Sequence, residues 1–154
     1  MKSNKFLNAT QIFVKACYVL LALLAIFGTY AIIYANGGWD NILLPFCIPF
    51  FLVLPAGYAV LICLDKLLGN IELDIIFDKE NTEIFKKISI CCFYATAIGI
   101  IACAVFIVTE ISHILCVPIL ILACGEAFMG LIVIVIKIVF NRAIEIKTEN
   151  DLTI

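Results

Sequence analysis

Between His113 and Lys137 the chain reads ILCVPILILACGEAFMGLIVIVI, an apolar run interrupted by one charged residue, Glu126. A helix rises about 1.5 Å per residue, so a run of this length covers the roughly 30 Å of bilayer hydrocarbon. It reads as a membrane span. A carboxyl group at bilayer depth costs a few kcal/mol on insertion scales, so Glu126 is expected to face other helices or a wet cavity. Whatever fold the chain adopts has to accommodate that group.

The rest of the chain repeats the pattern. Hydrophobic residues make up 65% of it, charged residues 14%, and the mean hydropathy is +1.19. A soluble chain of this size would lack the charges to cover its outside. The expectation is an all-α, polytopic membrane protein: one domain over 1–154, a four-helix transmembrane bundle with spans near 12–34, 43–64, 88–108 and 114–138. The run beginning at Ile12 is longer than a signal-peptide core and lacks an A-x-A cleavage pattern, so it is read as a retained helix. A net charge of −2 carries no message about nucleic acid, and no direct nucleic-acid binding is expected.

Charge placement gives an orientation. All ten Lys and Arg residues fall in the amino-terminal segment, in the middle connection 65–87, or at the end of the fourth helix and in the tail 139–154. The connections 35–44 and 109–113 have none. With four spans those three basic regions share one side, and the positive-inside tendency makes it the cytoplasm. Both termini are then cytoplasmic, in a multi-pass protein of the plasma membrane with the lipid bilayer as its first partner.

Within this frame several local features stand out. Asn36-Gly37-Gly38 signals a turn and Trp39 suits an interface. Pro45, Pro49 and Pro55 predict a second helix that is kinked or locally unwound, either a packing bend or a broken helix lining a ligand site. Ala22, Ala25 and Thr29 form a small-residue stripe at helical spacing on the first helix, and Ala95, Gly99 and Cys103 on the third form a small-residue face that lets another helix approach closely. In the middle connection Gly69-Asn70 looks like a helix stop and Asp78 like the N-cap of the third helix. The apolar cluster Ile71, Leu73, Ile75, Ile76 and Phe77 between them is too short to span, so it is expected at the membrane surface or docked on the bundle.

Chemistry-bearing motifs are scarce. The eight cysteines all lie in or beside apolar spans, where the thiol behaves as a small hydrophobe, and no C-x-x-C pair occurs. His113 is the only histidine. H-E-x-x-H is absent, and Ser89 and Ser112 have no evident partners. No catalytic residue, metal site or cofactor is expected. Candidate ligand or proton residues are Glu126, Tyr58 and Tyr94; Glu126 is alternatively a structural hydrogen bond between helices. Candidate partner-surface residues are Ile75, Ile76, Phe77, Asn81, Asp151 and Leu152.

The connection LDKLLGNIELDIIFDKENTEIFKKIS and the ending RAIEIKTENDLTI resemble small bacterial four-span membrane proteins known as domain of unknown function 2975. In that family the connection carries Asn-Ile, a glycine, a phenylalanine and a capped Glu-Asn; the tail closes in Glu-Asn-Asp-Leu-Thr-Ile or close to it. The matching positions here are Asn70-Ile71, Phe77, Glu80-Asn81 and Glu149 to Ile154, while Asp74 stands where the family has glycine. The resemblance implies a signalling pairing at the membrane with a small helix-turn-helix regulator. Two readings of function follow: a regulatory or sensory partner of a cytoplasmic protein, or a small ligand-binding or transport bundle built on Glu126. Four spans are few for a transporter acting alone, so homo-oligomerisation fits the second.

Overall fold

The computed structural model describes residues 3–34, 43–73, 75–76, 78–110 and 113–151. They form four helices, α1 (Ser3–Tyr34), α2 (Leu43–Glu72), α3 (Lys79–Val108) and α4 (His113–Asp151), with no strand among the described residues. Each is long and apolar enough to cross a membrane. The expected turn at Asn36-Gly37-Gly38, together with Trp39, lies outside the described residues.

The helices are satisfied internally, as a lipid environment requires. Hydroxyl groups that would otherwise face hydrocarbon bond back one turn: Thr29 to the Ala25 carbonyl, and Thr96 to that of Cys92 at 2.9 Å. Helix α2 is neither broken nor unwound, because it stays helical through both Pro49 and Pro55. Pro45 falls in its first turn, where no intrahelical N–H is needed. An interior proline crowds the carbonyls one turn back, and there the Tyr94 hydroxyl of α3 donates to the Leu52 carbonyl at 3.2 Å.

Packing follows chain order. The extensive helix contacts are α1 with α2, α2 with α3, and most of all α3 with α4. The α3–α4 seam is built from small side chains: a Cβ on Gly99 would stand 3.1 Å from the Ala123 Cβ, and one on Gly130 3.2 Å from the Cys92 Cβ. Further along, Cys103, Phe106, Cys116 and Ile119 form a buried cluster. The seam confirms the small-residue face expected on α3. On α1 the row that meets α2 includes Gln11, Tyr18, Leu21 and Gly28. Gln11 bonds Glu72 at 3.1 Å, Tyr18 stacks obliquely on Tyr58, Leu21 meets Gly57, and Gly28 makes room for the Phe51 ring.

These pairings run antiparallel and bring the basic regions to one end. There Lys66 of α2 pairs with Glu80 of α3 at 2.6 Å, and the Phe85 ring of α3 meets Phe140 of α4 edge-on at 5.1 Å. Helical residues 65–72 and 79–87 continue beyond the apolar stretches by about 12 Å at the helical rise. Exposed apolar side chains cover the rest, on α1 almost all round, as expected of surfaces facing lipid.

Candidate functional site

Because α2 and α4 both pack on α3 and make no extensive contact with each other, a groove opens between them with α3 as its floor. It has a volume of about 190 Å³. Pro49, Phe50 and Val53 form the α2 wall, and Ala95 and Gly99 form the floor. Leu122 and Glu126 stand on the α4 side. Glu126 is the one ionisable residue in this lining, which is otherwise apolar.

Glu126 is exposed at this groove rather than enclosed among helices. It sits between Ala123 and Gly130, two of the α4 positions that touch α3, so the helical repeat brings it to the edge of the seam. The Cys92 thiol of α3 lies near enough to feel its charge. Eleven residues separate Glu126 from Lys137, about 16 Å along the helix. The group therefore lies well inside the apolar layer with no lysine or arginine at its level.

The other two candidates do not join it. Tyr94 spends its hydroxyl on the Leu52 carbonyl, and Tyr58 faces Tyr18 of α1. Thr96, on the floor side, bonds the Cys92 carbonyl and reaches the Ala123 carbonyl at 3.3 Å, tying α3 to α4.

A second candidate region is the tip of the α2–α3 hairpin. Asp78 caps α3 as expected: its backbone is extended and its carboxylate accepts from the Glu80 N–H at 3.1 Å. Gly69-Asn70 does not stop α2, which continues to Glu72 while the Gly69 carbonyl accepts from the Leu73 N–H. Asn81 offers no surface to a partner, because it is fully buried. Its amide donates to the Ile75 and Ile76 carbonyls at 2.7 and 2.8 Å, and its oxygen accepts from the Asn70 amide at 2.7 Å. The turn is thus folded around that one side chain.

What the turn leaves outside is apolar and acidic. Leu73 is 69% exposed and Ile75 42%, while Ile76 is half-buried. Glu72, Asp78, Glu80 and Glu83 are also exposed, with Lys79 among them and Lys86 3.9 Å from Glu83. Lys66 lies one step back toward the apolar layer, its amine held above the usual lysine value by the hydrogen bond it donates to Glu80 and then by that group's charge. Phe77 and Leu152 lie outside the described residues; Asp151 ends α4, and its side chain is not among those described. No group of three or more metal-ligating side chains occurs among the described residues.

A family model described as "Protein of unknown function (DUF2975)" matches residues 7–154. No curated protein and no solved structure matches the chain.

Proposed function

We propose, for a chain that belongs to the DUF2975 family, a non-catalytic regulatory or sensory role in the bacterial cytoplasmic membrane: the basic end, with both termini, faces the cytosol, and the α2–α3 tip docks a soluble protein such as a small helix-turn-helix regulator. The observation that carries this is the exposure of Leu73 and Ile75 on a turn braced by buried Asn81. A tip about 12 Å beyond the apolar layer stands in water, where exposed apolar side chains gain by covering. Its excess of carboxylates keeps it off anionic lipid headgroups and suits a partner with a basic surface. The orientation rests on the ten basic residues lying at one end.

The test is co-purification from the native membrane with and without the paired substitutions Leu73→Ser and Ile75→Ser, both at exposed positions that leave the fold intact. The reading expects a soluble protein that accompanies the wild type and is lost from the double variant. If the same proteins accompany both, or if deletion of 141–154 and the double variant leave every transcript unchanged, the tip is not the output surface.

A second reading is favoured by a separate observation, the opening of a groove at Glu126. Here the molecule is a small ligand-binding or transport bundle, alone or as a subunit of a homo-oligomer. Glu126→Gln keeps shape and hydrogen bonding while removing the charge. On this reading it abolishes the response to ligand and leaves partner binding at the tip untouched.

A further inference from the structure

We propose that the groove beside Glu126 binds an apolar organic cation, an amine or quaternary ammonium group on a hydrocarbon or aromatic body, entering sideways from the lipid between α2 and α4. The inference rests on the reading of the groove as a ligand site and adds the chemistry of what fills it.

A carboxylate in hydrocarbon must be neutralised or met by an opposite charge. The groove lining supplies neither, since it is apolar apart from Glu126 itself. The neighbouring hydroxyls are engaged elsewhere, Thr96 on the Cys92 and Ala123 carbonyls and Tyr94 on the Leu52 carbonyl. On α3 the titratable group facing Glu126 is the Cys92 thiol, a weak donor; the α2 wall of Pro49, Phe50 and Val53 contributes none. Every Lys and Arg lies toward the ends, the next on α4 being Lys137 about 16 Å away. The counter-charge therefore has to arrive from outside the chain, as a proton or as a cation.

Shape separates the two. A proton needs no groove, whereas this carboxyl stands on an open, apolar hollow that would shelter the body of a molecule whose charged end meets Glu126. Phe50 on the opposite wall adds a ring whose quadrupole attracts cations. The walls belong to helices that do not close on each other, so a ligand dissolved in the bilayer enters without crossing a seam. Binding is then a pairing in which the cation enters from the lipid and its charge meets the Glu126 carboxylate.

The experiment uses the full chain in nanodiscs of zwitterionic phosphatidylcholine, with empty discs as the blank. Equilibrium dialysis measures benzyltrimethylammonium against its uncharged carbon isostere, neopentylbenzene. The expected result is saturable binding of the cation, weakened about tenfold or more by Glu126→Gln, as loss of a charge partner in a low-dielectric site requires. Val53→Trp, which fills the groove from the α2 side, weakens it comparably. Size-exclusion profiles and helical circular dichroism check that both variants fold. Equal cation affinity in wild type and Glu126→Gln overturns the inference. If Val53→Trp nevertheless blocks both compounds, the groove is a ligand site of other chemistry. If neither compound binds saturably, the ligand reading falls too and Glu126 serves as a hydrogen bond between helices.

Discussion

Asn81 is the largest fully buried side chain among the described residues, and it makes three hydrogen bonds across the α2–α3 turn. Removing its amide strands the Ile75 and Ile76 carbonyls and the Asn70 amide, each at a typical 1–3 kcal/mol for a buried polar group left unpaired. Asn81→Ala should therefore destabilise the protein by about 2 kcal/mol or more in detergent unfolding and speed proteolysis between residues 70 and 81. An unchanged midpoint would show that water replaces the side chain at no loss. Glu110 is the opposite case, a non-glycine residue with φ of 53° just after the Thr109 cap. Glycine has no Cβ to strain there, so Glu110→Gly should raise the unfolding free energy by about 1 kcal/mol. The sequence made Asp78 legible as a cap because an Asx before a helical run has a local meaning. Asn81 was not legible: its partners are carbonyls five and six residues upstream, and nothing local separates a polar residue that latches a turn from one on a wet surface.

At the scale of elements, small residues decide which helices approach. A Cβ on Gly130 would press on Cys92 and Phe93, whereas Gly125, five positions earlier on α4, has nothing within 4 Å. Gly130→Leu should thus lower stability by about 1–3 kcal/mol through overpacking, while Gly125→Leu in the same helix leaves it nearly unchanged. Comparing the two thermal midpoints checks the α3–α4 seam directly, and equal shifts would contradict it. The Lys66–Glu80 pair adds a pH signature. Because the partner raises the lysine's affinity for its proton, whatever the pair contributes is fully present at neutral pH and is lost only as alkali carries the amine through its folded-state value. The α3 face was readable from Ala95, Gly99 and Cys103 because glycine and alanine at four-residue spacing have few other uses in a span. The face of α1 that meets α2 was not legible, since α1 is apolar all round and periodicity cannot choose its buried side. Prolines 49 and 55 suggested a disrupted helix, but proline's local effect is small enough for neighbouring helices to absorb.

For the molecule as a whole, four apolar helices and one shared basic end were legible in advance because each depends on sums over many residues. The open, chain-ordered packing that creates the groove was not, since it depends on which pairs of helices fail to meet. A multi-pass membrane protein with its basic end inside the cell, as proposed, keeps its lysines on one side of the bilayer, where they can be labelled. Intact spheroplasts are treated with a membrane-impermeant amine-reactive biotin, and the purified chain is then mapped by mass spectrometry against a permeabilised control. No labelled lysine is expected in intact cells, and Lys66, Lys79, Lys86, Lys87 and Lys147 are expected to label once the membrane is opened. Biotin on those lysines in intact cells would contradict that placement.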